Sequence, residues 1–320
     1  MRILIWHVHG SWATAFLQGG HDYLLPVTPD RGPDGLGRAR TWDWPPSAVE
    51  VPAERLREEP VDLVVLQRPH EVELAARWLG RRPGVDVPAV YLEHNTPDGD
   101  VPCTRHPMAD QDRIPIVHVT GYNELIWDSG RTPTYVVEHG IPDPGRRYSG
   151  EVARAAVAVN DPVRRSRHVG TDLVRAVAAE HGVDVFGMRV CGLDGGPGDG
   201  MDLRTYEDLP QHELHAELPR RRLYLHTPRW TSLGLSLLEA MALGMPVVAV
   251  GSTAAPYAVP PEAGAVVTRP AELVAEVRRL LDDPGLAHER GAAAREHVLA
   301  RHGLARFLAD WDALLHDVVG

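Results

Sequence analysis

Lysine is absent from this chain: all 33 basic residues among its 320 are arginine. Any role that calls for an amine must pass to arginine or histidine. Cysteine occurs only twice, at Cys103 and Cys191. Their spacing suggests neither a disulfide framework nor a zinc site. No run of about 18 apolar residues exists, so no membrane-spanning helix is expected. Met1 runs directly into Arg2-Ile-Leu-Ile-Trp6, which reads as a first strand and not as a secretion signal, so a cytoplasmic location is expected. Positive charge is also short. The formal net charge is −11, with 15 Arg against 21 Asp plus Glu in residues 1–150 and 18 against 23 in residues 151–320. Neither half is basic, so no nucleic-acid partner is expected, and association with an anionic membrane is disfavoured. The chain lacks Gly-x-Ser-x-Gly, a glycine loop ending in Gly-Lys-Ser/Thr, and His-Glu-x-x-His. His7 and His9 share a strand face, and His212 and His215 a helix face, but neither pair has a third ligand, so no metal site is expected.

What remains is a chain long enough for about two domains. Hydrophobic residues make up 43% and charged residues 24%, as in ordinary globular proteins. Strand and helix patterns alternate. In the first half, strands are expected over residues 2–9, 23–27, 61–67, 88–94, 115–120 and 134–139, with helices between them. Residues 29–48 and 97–114 carry no period and read as long loops. Gly140-Ile-Pro-Asp-Pro-Gly145 is turn-rich and reads as a linker. The second half repeats the alternation, with strands over residues 155–160, 183–186, 222–226, 247–250 and 265–268. Residues 194–200 form a glycine-rich loop, and Arg220-Arg-Arg222 reads as a solvated face. Such alternation implies parallel sheets with right-handed crossovers. The expected architecture is α/β with two Rossmann-like domains facing a cleft: residues 1–143, residues 144–302, and a final helix over 303–320 that crosses back to the first domain. Ligands in such sheets lie beyond the carboxyl ends of the strands. Gly10, His94, the loop after Asn160 and Thr231–Gly234 all follow strands.

The most informative stretch is Ser232-Leu-Gly-Leu-Ser-Leu-Leu-Glu-Ala-Met-Ala-Leu-Gly-Met-Pro-Val-Val-Ala-Val250. It reads as a tight loop, a buried helix, a turn and a buried strand. Gly234 opens the helix, where a small residue lets a ligand approach backbone N–H groups. Gly244 closes it and Pro246 prevents continuation. Glu239 sits inside an apolar helix, where a carboxylate costs free energy unless something polar meets it. A structural ion pair and a ligand contact both satisfy that condition.

This stretch resembles the signature of GT-B retaining glycosyltransferases that use nucleotide-diphosphate sugars, family-4-like (group 1). The resemblance implies that Glu239 binds the nucleotide ribose. The pattern's first acidic residue falls on Thr231 and its aromatic on Leu233, so Thr231, Ser232, Leu233 and Gly234 form a degenerate donor loop. The helix half is a close match. Tyr91-Leu-Glu-His-Asn-Thr-Pro97 resembles the strand whose histidine contacts the donor sugar, which falls on His94. Gly10 matches a glycine near the donor phosphates, and an ordinary turn fits it equally well. Gly170-Thr-Asp-Leu-Val174 matches a further segment, but Val169 stands at its lysine position. Asp161-Pro-Val-Arg-Arg-Ser-Arg-His168 offers arginines instead. Arg165 and Arg167 are the expected diphosphate ligands, since guanidinium groups bind phosphate bidentately and stay charged. A merely solvated loop is the alternative.

The resemblance thus implies a retaining, metal-independent transferase that needs no cofactor beyond its nucleotide-sugar donor and acts on a small-molecule or glycan acceptor. Two alternatives stay open. One is a catalytically degenerate GT-B protein that binds a nucleotide, a glycan or an enzyme partner. The other is a sugar-nucleotide epimerase on the same fold.

Overall fold

Short apolar runs set the strands. Leu63–Leu66 and Ala89–Glu93 are buried along their whole length, as central strands of a sheet covered on both faces must be. The computed structural model describes residues 1–193 and 200–320; the glycine-rich loop expected over 194–200 lies almost wholly outside the described residues. The chain forms two units, Met1–Pro142 with Leu304–Gly320, and Asp143–Gly303.

The first unit runs β1 (Arg2–Ile5), α1 (Gly10–Phe16), β2 (Asp22–Val27), β3 (Ala48–Pro52), β4 (Leu63–Leu66), α2 (Glu71–Leu79), β5 (Ala89–Glu93), β6 (Ile116–His118), α3 (Gly121–Ile126) and β7 (Thr134–Val136). Its seven strands are parallel, in the order β3-β2-β1-β4-β5-β6-β7. The chain winds outward from β1 to β3, then returns and winds the other way from β4. The order therefore reverses between β1 and β4, and a crevice opens at their carboxyl ends. Strand β3 was not expected from sequence. It is an edge strand in which only Ala48 and Val51 are buried, and it begins at the last residue of the stretch that reads as a loop.

The second unit runs β8 (Val152–Ala158), α4 (Pro162–Arg165), α5 (Thr171–Ala178), β9 (Val183–Gly187), β10 (Leu203–Glu207), α6 (Gln211–Glu217), β11 (Arg221–His226), α7 (Leu235–Leu243), β12 (Val247–Val250), α8 (Ala255–Ala258), β13 (Gly264–Val267), α9 (Pro270–Asp282) and α10 (Pro284–His302). The sheet order is β10-β9-β8-β11-β12-β13, all parallel, so the reversal falls between β8 and β11. Gly244 closes α7 at φ +94°, a left-handed conformation that costs glycine little.

The last helix, α11 (Leu304–Val319), belongs to the first unit. Its Phe307, Trp311, Leu314 and Leu315 are buried. Trp311 packs edge-on against Trp12 and Phe16, at 5.6 and 5.0 Å between ring centroids. Arg306 donates to the carbonyls of Glu138 and His139. Aromatic burial of this size fixes the helix more firmly than its polar contacts do.

The amino-terminal edge of the second sheet corrects one expectation from the sequence. Arg221 is 4% exposed and not part of a solvated face. It donates to Asp184 at 2.7 Å and lies over the rings of Phe186 and Tyr206. Arg154 donates to the other oxygen of Asp184 and to Asp202. The buried carboxylate is thus shared by two guanidinium groups.

Candidate functional site

In the second unit, the crevice between β8 and β11 gathers the loops that the sequence singles out. Two strained residues shape the first loop. Asp161 has φ +55° and Ser166 has φ +40°, so the chain turns sharply on either side of the one-turn helix α4. Val163, Arg164 and Arg167 face outward as a result, while Arg165 is half-buried. Arg164 donates to Asp161. Arg167 is 74% exposed and donates to Asp172 at 3.1 Å. Asp172 is already held by Arg229, through bonds of 2.6 and 2.8 Å. Among the described residues, the Arg165 guanidinium makes no ion pair or hydrogen bond. Burial, followed by repulsion from Arg164, lowers its pKa, while Asp161 opposes that shift. Among the described residues it is a half-buried cation that no carboxylate bonds directly.

Gly170 joins this loop to the next. Its φ is +77°, and a Cβ there would run into the carbonyl of Thr227. Thr227 Oγ1 donates to the Val169 carbonyl at 2.8 Å, and the amide of Arg229 donates to the His168 carbonyl at 2.9 Å. The loops after β8 and β11 are thereby held as one platform. Val169, which stands at the lysine position of the resembling pattern, is 2% exposed, so the chain supplies no charge from that position.

The loop 231–234 follows. Thr231 is half-exposed, whereas Ser232 and Leu233 are buried at 3% and 6%. Leu233 therefore serves packing at this position. Gly234 precedes α7 in an extended conformation with no side-chain cap. A Cβ on Gly234 would lie 2.7 Å from Cε1 of His226. Its smallness is thus required by a buried ring, a reason the sequence did not show. Burial pushes the His226 pKa down to about 4, so the imidazole is neutral at neutral pH. The first N–H groups of α7 carry no carboxylate in the first turn. They form an uncapped positive helix end of the kind that attracts anions. Ser236 accepts from Tyr224 Oη at 2.9 Å and donates to the Ala158 carbonyl at 3.4 Å, which pins α7 to the ends of β11 and β8.

Glu239 lies one turn further along α7. Most of its neighbours on the helix are fully buried, whereas its side chain is 17% exposed. Among the described residues it makes no hydrogen bond. His215 Nε2 of α6 is 3.8 Å from its Oε2, beyond hydrogen-bond length. The two histidines of α6 do not act together, since His212 is 80% exposed and His215 12%.

In the first unit, the crevice between β1 and β4 is lined by imidazoles. His94, just past β5, is 8% exposed. Its ring lies 3.9 Å from that of His9 and 5.3 Å from that of Trp12. Its Nε2 is 3.1 Å from Gln67 Oε1. Gln67 Nε2 donates to the Trp6 carbonyl at 2.8 Å, which fixes the amide and turns its oxygen toward His94. Neutral His94 therefore donates from Nε2 and offers Nδ1 as an acceptor. Burial, with like charge on His9 and His139, holds its pKa well below the usual histidine value. His9 is pushed down to about 4, by burial first and then by Arg68. The loops carrying Gly10 and His94 therefore meet. The space above Gly10, however, is taken by the Trp42 ring, which a Cβ would strike. Sequence reasoning missed Trp42, Gln67 and Arg229. The two tryptophans of the loop after β2 were the available signal for the first. Among the described residues no three His, Cys, Asp or Glu side chains converge as a metal set, and no helix is long and apolar enough to cross a membrane.

Comparison with known proteins bears on the fold. Residues 202–297 match the family model of glycosyl transferases group 1. That segment runs from β10 into α10 and includes α6, β11, the loop before α7 and α7 itself. No curated protein matches the chain. Among solved structures, the chain is similar to sucrose-phosphate synthase from Thermosynechococcus elongatus, at 14% identity and a TM-score of 0.71, covering 99% of this chain and 98% of that one. It is similar to HepE of Anabaena, solved in complex with UDP-glucose, at 13% identity and a TM-score of 0.68, covering 99% and 100%. It is also similar to a glycosyltransferase from Rickettsia africae ESF-5, at 12% identity and a TM-score of 0.67, covering 99% and 98%. The fold class is GT-B, with two Rossmann-like units built on parallel sheets.

Proposed function

We propose that this protein is a glycosyltransferase that moves a sugar from a nucleotide-diphosphate sugar to an acceptor hydroxyl with retention of configuration. One observation carries the reading. At the sheet reversal of the second unit stand the Arg165 guanidinium and, inside the segment that matches the group 1 model, the uncapped amino end of α7 and the Glu239 carboxylate; among the described residues neither side chain makes a hydrogen bond. A nucleoside diphosphate is complementary to this set. Its phosphates meet Arg165 and the N–H groups before Leu235, and its ribose hydroxyls donate to Glu239. Arg167 is already occupied by Asp172, so it takes a minor part.

In the proposed reaction the acceptor oxygen bonds to the anomeric carbon as the bond from that carbon to the diphosphate oxygen breaks. The acceptor proton passes to the departing diphosphate on the same face. Negative charge grows on the leaving oxygen, and Arg165 with the α7 amides stabilises it without reorganising. In the first unit, His94, held neutral by burial beside His9, is the group proposed to contact a sugar hydroxyl. No step calls for a metal or a further cofactor. Thr231 offers a neutral hydroxyl where the resembling pattern has a carboxylate, so it bears on donor choice.

A second reading has support in the same residues. Val169 is buried and uncharged, Thr231 is not acidic, and Trp42 covers Gly10. These features fit a protein that binds a nucleotide or glycan without turnover. Incubating the protein with a panel of nucleotide sugars separates the readings. Free nucleoside diphosphate released without acceptor, and faster with one, supports transfer. An isomerised sugar indicates an epimerase. Binding with no turnover across the panel, or no binding at all, removes the transferase reading.

A further inference from the structure

We propose that His215 is the positioning residue for Glu239: its Nε2–H holds the carboxylate in the rotamer that takes the nucleotide's ribose. This inference rests on the nucleotide site proposed above. His215 is on α6, outside the loops and the helix that make up that site. Its side chain is 12% exposed, and its Nε2 is shut off from solvent with no hydrogen bond among the described residues. A ligand therefore cannot reach Nε2 directly. What Nε2 does face is the Glu239 carboxylate, 3.8 Å away. Tyr224, the other titratable group set against Glu239, has its hydroxyl committed to Ser236. His215 is thus the donor left for the buried side of Glu239.

Among the described residues, both groups are under-satisfied as they stand. A buried N–H without an acceptor and a half-enclosed carboxylate without a donor each lose hydrogen bonds that water would supply. A turn of the Glu239 side chain by about 1 Å brings Oε2 to hydrogen-bond length from Nε2. A carboxylate has room for about four hydrogen bonds. With one lone pair given to His215, the outward pairs remain for the two hydroxyls of a ribose. Binding the diol and forming the His215 bond then favour the same rotamer, so each strengthens the other.

The test measures binding of UDP, ADP and GDP by calorimetry to the full-length protein. The tightest of them is then compared with its 2′,3′-dideoxy counterpart. Variants are His215→Ala, His215→Gln, which keeps an N–H near the place of Nε2, and each combined with Glu239→Ala. We expect His215→Ala to weaken the ribonucleotide on the order of tenfold. The dideoxy nucleotide should bind with little change. His215→Gln should recover most of the loss, and His215→Ala should cost nothing further in the Glu239→Ala background. A thermal melt runs beside each titration. Equal losses on both nucleotides, or a lower melting temperature with unchanged ribonucleotide affinity, would show that His215 only packs α6 and would overturn the proposal. If the parent binds none of the three nucleotides, the nucleotide site itself fails, and this inference with it.

Discussion

Replacing Arg165 and Arg167 one at a time is the sharpest use of the geometry, because two positions of one loop, separated only by Ser166, are given opposite fates. Arg167 is 74% exposed and shares Asp172 with Arg229, which grips that carboxylate twice. Its pair is a screened surface contact, worth about 0–1 kcal/mol. Arg167→Ala should therefore change diphosphate affinity by less than about fivefold. Arg165 is half-buried and, among the described residues, without an ion pair. A phosphate that it grips with two charge-assisted bonds gains about 1.5–3 kcal/mol from each. Partial exposure argues for the low end, so Arg165→Ala should lose about 3 kcal/mol, or roughly a hundredfold in affinity. The assay is calorimetric titration of a nucleoside diphosphate and of its nucleoside into parent and both variants. Only the diphosphate should respond to Arg165. The protein itself should not be destabilised by the change, since removing an unpaired cation beside Arg164 relieves repulsion. Diphosphate affinity like the parent's in a folded Arg165→Ala protein, or equal losses from the two variants, would refute the reasoning.

Further expectations follow from single residues. Glu239→Ala should cost about 10²–10⁴ in nucleotide affinity if two ribose hydroxyls are lost, with the melting temperature nearly unchanged, and Glu239→Gln should cost only part of that. Thr231→Glu should shift the donor profile across a panel of nucleotide sugars, and an unchanged profile would show that the position does not touch the sugar. Asp184→Asn leaves Arg154 and Arg221 facing a neutral amide at a buried position, and should cost about 3–5 kcal/mol in a urea melt. Stability should also fall on acidification from about pH 6.5 toward pH 4. His9 and His226 stay neutral in the fold down to about pH 4, while their unfolded counterparts take up protons below about 6.5, so the unfolded state binds more protons in that window and gains as pH drops. The slope is at most about 1.4 kcal/mol per pH unit for each histidine; a flat urea-melt stability between those pH values would contradict the burial argument.

The frame of the fold was legible wherever a segment is buried on both faces. Leu63–Leu66 and Val247–Val250 are apolar runs that could be little else, and Gly244 with Pro246 marks a helix end by backbone chemistry alone. Ala48–Pro52 and Leu203–Glu207 escaped notice because both are edge strands. Each is covered on one side, so it carries charges and, in the first case, a terminal proline. Glu239 stood out because a carboxylate inside Leu-Leu-x-Ala-Met-Ala contradicts its surroundings. The difference between Arg165 and Arg167 did not stand out, because it is created by the left-handed residues Asp161 and Ser166, which no side-chain pattern announces. Arg221 was misread for a different reason. Its partner Asp184 is 37 residues away, and only the sheet brings the two together. His215 looked like half of a histidine pair, when the group that gives it meaning is on another helix.

The chemistry at the two sheet reversals is different in kind, and the difference follows from which side chains burial leaves charged. In the first unit the crevice is bordered by His9 and His94, both held neutral by burial, with Gln67 fixing the donor face of His94. Neutral imidazoles and an amide can order hydroxyl groups without adding net charge of their own. In the second unit the crevice is bordered by Arg165, whose guanidinium cannot give up its proton, and by the bare amino end of α7. A cation at that position, with no carboxylate among the described residues paired to it, costs free energy in the empty protein and repays it when an anion arrives. Had the chain kept lysine at position 169, burial at 2% would have favoured its neutral form. An arginine at the half-exposed position 165 keeps its charge. The absence of lysine and the half-burial of Arg165 thus point to one conclusion: the positive charge of this site is permanent, and diphosphate binding should be flat with pH on the protein's side through the range where a lysine would titrate.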